Sequence, residues 1–229
     1  MTLVVKHQPS PNFNARKRPI SALVLHYTGM ATGAAAIERL CDSEAGVSAH
    51  YVVEEDGSIL QLVAEKDRAW HAGMGSWRGE TDMNSASIGI EIVNGGHDFG
   101  LPAYPDAQIT AVIALAQDIA SRHPIAPTGI IGHSDLAPDR KQDPGEHFDW
   151  ARLAGEGVGL WPDEDAESLE VSDAAAALEE MGYPVGEGAL DEKVITAFQR
   201  RFMPGTIDGL VHEKTLRRIG QVLKLYRPG

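Results

Sequence analysis

At 229 residues the chain is long enough for one large domain, or for a medium domain with a small companion, and 43% apolar residues supply a proper core. With 20 basic against 33 acidic residues the formal net charge is -13, which argues against nucleic acid or an anionic membrane surface as partner, because neutralising phosphates takes clustered cations. The single cysteine, Cys41, allows no intrachain disulfide, and no stretch approaches the ~20 apolar residues that cross a bilayer.

The chain opens with a short apolar run about Leu3-Val4-Val5, too short for a signal-peptide core, so a cytoplasmic location is expected, with the cell envelope as the alternative. Residues 21–28 form an apolar, β-prone run stopped by Gly29, which predicts a buried strand carrying His26 near its end. Residues 34–42 then space Ile37, Leu40 and Cys41 as a short helix does. Residues 48–53 and 58–63 flank Glu55-Asp56-Gly57, and Asp-Gly supplies the turn geometry of a hairpin. Beyond the hairpin, Trp70 and His71 sit among small residues that permit a ligand to approach closely.

Residues 73–85 are polar and glycine-rich and predict a loop. Residues 87–94 read as a buried strand with one carboxylate, Glu91, inside it. An unpaired carboxylate there costs several kcal/mol or titrates to neutral, so Glu91 is expected to meet a cation, a metal site or a wet cleft. From Pro105 onward, Ile109, Val112, Ile113, Ala116, Ile119 and Ala120 trace one face of a helix ending near Ser121. Residues 129–133 return to strand and deliver His133 into a loop holding Lys141 and Asp143 between prolines and Gly145. If that loop is extended, Lys141 and Asp143 leave it on the same face.

The second half changes character. The acidic run Asp163-Glu164-Asp165-Ala166-Glu167 predicts a solvated linker over residues 161–170, dividing a domain of residues 1–160 from a helical one of residues 171–229. Residues 173–181, 192–201 and 212–225 carry helical patterns separated by Gly182-Tyr183-Pro184 and Asp208-Gly209. The expected fold is therefore α/β, a mixed central sheet flanked by helices, followed by a small all-α domain of three helices.

His26, His133 and Asp143 supply two imidazoles and a carboxylate from separate segments, a set that suits a catalytic zinc ion with one position left open. A further carboxylate such as Glu91 could carry protons, and an ammonium such as Lys141 could stabilise an oxyanion. The reaction class using all these parts is amide hydrolysis.

The segments Leu25-His26-Tyr27-Thr28, Ser48-Ala49-His50-Tyr51, Ala69-Trp70-His71-Ala72-Gly73, Ser87-Ile88-Gly89-Ile90-Glu91 and Gly132-His133-Ser134-Asp135 through Lys141-Gln142-Asp143-Pro144-Gly145 resemble, in that order, the type 2 zinc N-acetylmuramoyl-L-alanine amidases. The resemblance covers residues from about 20 to 153. It implies a sheet with a zinc-floored groove, with His26, His133 and Asp143 as zinc ligands, Glu91 as catalytic acid/base, Lys141 as oxyanion stabiliser, and Trp70, His71 and Asn84 lining the groove. Asp143, standing where phage enzymes place a cysteine, implies the bacterial branch. The implied substrate is the amide between the lactyl group of N-acetylmuramic acid, or its 1,6-anhydro form, and L-alanine of the stem peptide. Soluble muropeptides met during cell-wall recycling are the expected partners, and a monomer is expected.

Residues 171–219 resemble the helical peptidoglycan-binding domain through Leu178-Glu179-Glu180-Met181-Gly182-Tyr183, Ala197-Phe198-Gln199-Arg200-Arg201-Phe202 and Ile207-Asp208-Gly209 to Lys214-Thr215-Leu216, although Leu190 stands where a glycine usually precedes the Asp at position 191.

Overall fold

The computed structural model describes residues 3–186 and 190–227. Two short strands, β1 (Val5–His7) and β2 (Phe13–Ala15), precede β3 (Ala22–Tyr27), the apolar run read as a buried strand. Helix α1 (Gly33–Cys41) starts at Thr32, whose side chain accepts the Ala35 N–H and so satisfies one of the first-turn donors. Strands β4 (Tyr51–Val53) and β5 (Ile59–Gln61) pair antiparallel across the Asp56-Gly57 turn. Gly57 has φ 84°, and an added Cβ would meet the Ala107 carbonyl at 2.9 Å, so this turn tolerates no side chain.

Strand β6 (Asp67–Ala69), the four-residue helix α2 (Met83–Ala86) and strand β7 (Ser87–Ile92) follow, then the long helix α3 (Asp106–Arg122). Strand β8 (Ile130–Gly132) runs directly into a second four-residue helix, α4 (His133–Leu136), and α5 (Trp150–Gly155) ends this half. Helices α6 (Ala174–Met181), α7 (Glu192–Phe202) and α8 (Glu213–Tyr226) match the three helical patterns of the sequence.

The main sheet has the order β1-β5-β4-β7-β3-β8, with β4, β7, β3 and β8 mutually parallel and β5 antiparallel to β4. A separate antiparallel ribbon joins β2 to β6. The period of two along each strand sorts the side chains. Leu23 and Leu25 of β3 join Ile88, Ile90 and Ile92 of β7 in one core with Ile109, Val112, Ala116 and Ile119 of α3. Val24 and His26 alternate with those leucines, and the parallel register sets Val24 beside Gly89 and His26 beside Glu91. The face opposite α3 therefore carries the ionisable groups, near the carboxyl ends of the parallel strands, where open α/β sheets build their sites.

The C-terminal helices share this second face. One apolar cluster runs from Val24, Met83 and Ile131 through Trp77 and Leu136 to Leu178, Phe198 and Val222. The acidic segment before them is tied along α8: Gln221 donates to the carbonyls of Glu164 and Ala166, and the Leu169 N–H donates to the Gly220 carbonyl.

Candidate active site

The metal-ligand candidates meet in a triangle. The Nδ1 atoms of His26 and His133 lie 2.9 Å apart, and each lies 3.0 Å from Oδ2 of Asp143. All three residues are buried. His26 comes from near the end of β3 and His133 from the first residue after β8, while Asp143 is returned to them by the turn through Pro144 and Gly145.

The outer nitrogens of the two imidazoles decide which protons these rings carry. His133 Nε2 lies 2.9 Å from the Ala72 carbonyl, which can only accept, so the proton sits on Nε2 and Nδ1 presents a lone pair. For His26 the chain is longer. The Ser87 hydroxyl donates to the Met83 carbonyl, leaving its oxygen to accept from His71 Nε2 at 3.4 Å. His71 then presents the lone pair of Nδ1 to His26 Nε2, 3.0 Å away, and His26 also keeps its proton on the outer nitrogen.

Two imidazole lone pairs and a carboxylate thus face one another at about 3 Å, a repulsive arrangement that a cation relieves. The edges of a tetrahedron of N and O ligands around zinc are roughly 3.3 Å, so the donor set fits that ion in chemistry and in spacing. Burial, reinforced by the neighbouring His133, pushes His26 down to about 4, which keeps the ring neutral and able to ligate.

Glu91 stands beside His26 on β7. Its Oε2 is buried and has no hydrogen-bond partner among the described residues. Burial first, and the nearby Asp143 second, push this carboxyl well above its ordinary value, with Lys141 acting in the opposite direction. A carboxyl raised in this way holds a proton to higher pH than a free one, and so can deliver it as a general acid.

A groove of about 450 Å³ opens over the triangle. Trp70, His71, Glu91, His133, Lys141 and Asp143 all line it, so it unites residues that the sequence scatters over 74 positions. Asn84 is placed behind it. Its Oδ1 accepts the backbone N–H groups of both His71 and Ala72, which fixes the segment whose carbonyl holds His133. Lys141 and Asp143 both reach the groove, but through a turn rather than an extended segment.

Residues that no local pattern marks also shape the walls. Arg140 donates to the carbonyls of Ala72 and Met74 and lines the groove. The Tyr27 hydroxyl lies 3.0 Å from His97 Nδ1, and His97 Nε2 lies 3.0 Å from Glu146.

The chain is 37% identical over 234 residues to the N-acetylmuramoyl-L-alanine amidase AmiD of Escherichia coli (strain K12), covering 90% of this chain and 83% of that protein. A solved complex of the E. coli AmiD with the substrate anhydro-N-acetylmuramic acid-L-Ala-D-gamma-Glu-L-Lys superposes with a TM-score of 0.79 at 36% identity, covering 93% of each chain. AmpDh3 from Pseudomonas aeruginosa, in complex with an anhydromuramic pentapeptide, gives a TM-score of 0.83 at 32% identity over 92% of this chain and 94% of that one. The family model described as N-acetylmuramoyl-L-alanine amidase matches residues 16–146, the stretch that holds β3, β7, β8 and every candidate ligand. The chain therefore belongs to the N-acetylmuramoyl-L-alanine amidase family.

Proposed function

We propose that this enzyme hydrolyses the amide between the lactyl group of 1,6-anhydro-N-acetylmuramic acid and L-alanine in soluble peptidoglycan fragments, in cell-wall recycling. The observation that carries the reading is the triangle of His26, His133 and Asp143 with the unpartnered carboxyl of Glu91 on the same sheet face. The AmiD and AmpDh3 complexes, both with anhydromuramic peptides, support this substrate class.

His26, His133 and Asp143 would hold zinc, which when bound polarises the scissile carbonyl and supplies a water-derived nucleophile at neutral pH. Glu91 takes the proton from the attacking water as its oxygen adds to the carbonyl carbon. The same carboxyl then gives the proton to the departing nitrogen as the C–N bond breaks, so the products are a free lactyl carboxylate and a peptide with an amino terminus. Lys141, on the groove wall, opposes the negative charge that develops on the carbonyl oxygen. Trp70 offers an apolar ring with a polar edge, suited to a sugar or a peptide backbone.

A second reading, an envelope amidase acting on intact peptidoglycan, is favoured by the helical half with its likeness to peptidoglycan-binding domains. No helix among the described residues is long and apolar enough to cross a membrane. The test offers the purified protein both intact sacculi and anhydromuropeptides, with and without zinc, and identifies the released products by mass spectrometry. Cleavage of the small substrate alone supports the recycling role, and release of peptides from sacculi overturns it.

A further inference from the structure

Helix α4, which begins with His133, has only four residues and cannot hold its own conformation, because so short a helix has not repaid the cost of nucleation. Its orientation must be imposed from outside. Part of the restraint is local: the Ser134 N–H donates to the Asp143 carbonyl at 2.9 Å, and Asp135 Oδ2 accepts the Gly132 N–H at 2.8 Å.

The remaining restraint comes from the helical half. Arg201 of α7 donates Nη1 to Asp135 Oδ2 at 2.6 Å and Nη2 to the Ile130 carbonyl of β8 at 2.9 Å, with its guanidinium 4.2 Å from the centre of the Trp150 ring. The Tyr183 hydroxyl donates to Asp135 Oδ1 at 2.8 Å. Asp135 is 0% and Arg201 2% exposed. A fully buried ion pair contributes little net stability compared with apolar side chains of the same volume, since both charges must be stripped of water. What this pair does supply is direction: the fork of Arg201 fixes the start of β8 and the carboxylate that caps α4 in one geometry.

The neighbouring arginine lies against the other wall. Arg200 Nε stands 3.5 Å from Glu146 Oε2, the carboxylate that receives His97 Nε2, and Arg200 Nη2 donates to Gln142 Oε1 at 3.4 Å. Since Nε2 carries the His97 proton, Nδ1 accepts the Tyr27 hydroxyl, and the chain of contacts reaches the groove. Two consecutive residues of α7 therefore hold two different walls of the site.

We propose that the C-terminal helices are a positioning element of the active site, in which Arg201 and Tyr183 orient the ligand His133 through Asp135, while Arg200 orients the groove wall through Glu146 and His97. The proposal rests on the zinc-amidase reading above. It assigns the helices a task in the metal site and the groove that is independent of any ligand they bind themselves.

The test compares full-length wild type with Tyr183→Phe, with the charge-neutral pair Asp135→Asn/Arg201→Met, and with Arg200→Gln. Zinc affinity is measured by chelator competition, KM and kcat on an anhydromuropeptide, and Tm on each protein. Tyr183→Phe deletes one hydroxyl and keeps the ring against Trp77, so it preserves the fold even if the double variant does not. The expected result is that Tyr183→Phe and the double variant bind zinc roughly tenfold more weakly, the scale on which supports of metal ligands act. Arg200→Gln is expected to keep its zinc affinity and to raise KM about threefold or more. A lowered Tm with wild-type zinc affinity and KM throughout overturns the proposal and reduces the contacts to ordinary packing. A wild type that neither binds zinc nor cleaves the amide would instead sink the functional reading itself.

Discussion

Nε2 of His26 lies 3.0 Å from Nδ1 of His71, so the side of the His26 ring turned away from Asp143 is held by a second imidazole. His71 is in turn pressed against β7 at Gly89, where an added Cβ would stand 2.4 Å from the His71 ring. Gly89→Ala must therefore displace His71 or shift the strand, at a cost of about 1–3 kcal/mol for overpacking. Zinc affinity is expected to fall with stability. Denaturant unfolding and metal titration check both, and adding His71→Ala to Gly89→Ala should recover part of the stability but none of the affinity.

Glu91→Gln removes a carboxylate whose buried Oε2 has no partner among the described residues, and leaves the triangle of His26, His133 and Asp143 intact. Turnover is expected to drop at least ~10²-fold, the usual lower bound for losing a general acid/base, with zinc still bound. Tm should hold or rise, because the variant no longer buries an ionisable group. Product release followed by chromatography decides the first point; substantial residual turnover would remove Glu91 from the mechanism.

Metal removal is expected to destabilise the chain, since it leaves three lone-pair donors facing one another. At zinc a thousandfold above its dissociation constant, binding contributes about 4 kcal/mol. For a chain of this size a chelator should therefore lower Tm by roughly 10 °C, reversibly on adding zinc back. His133→Ala should show the low Tm with or without chelator and no amide cleavage. An unchanged wild-type Tm on chelation would count against a resident metal.

Acid sensitivity has a source away from the site. Burial opposes ionisation of Glu65, but Arg122, His123 and Tyr51 all donate to it and bring its carboxyl down to about 2 from an ordinary value near 4.5. A carboxyl depressed on folding stabilises the native state above its unfolded value, and that stability drains away as the pH falls from about 4.5 toward 2. Glu65→Gln lacks this contribution at neutral pH, so its stability should vary less than that of wild type across the window. Chemical denaturation at a series of pH values measures the two slopes, and parallel curves would refute the assignment.

The features legible in the sequence were those written locally. The Asp56-Gly57 hairpin, the strands around His26 and Glu91, and helix α3 each declare themselves through a turn residue or a hydrophobic period. Strands β1, β2 and β6 are as short as β4, β5 and β8, but mostly exposed or half-buried, so they lack the continuous apolar run or the Asp-Gly turn that marks those three. Glu91 stood out as a carboxylate in an apolar run, and its unpartnered oxygen is the same anomaly seen in three dimensions. Asn84 illustrates the opposite limit: motif likeness put it at the groove, whereas its amide serves two backbone donors behind it. The pairing of Asp135 with Arg201 spans 66 positions, and no periodic or motif signal connects residues so far apart.

The strict alternation along β3 and β7 has a practical corollary for anyone altering this enzyme. Leu23, Leu25, Ile88, Ile90 and Ile92 answer to α3, whereas Val24, His26, Gly89 and Glu91 answer to the opposite face. Substitutions on the α3 side change packing alone, whereas those on the opposite side act on the second apolar cluster and on the site together. A combinatorial library confined to the α3 side can be selected for thermal endurance first and assayed for cleavage afterwards, with little crosstalk between the two traits. The same interleaving forbids a one-residue slip in either strand, which would exchange both sets at once.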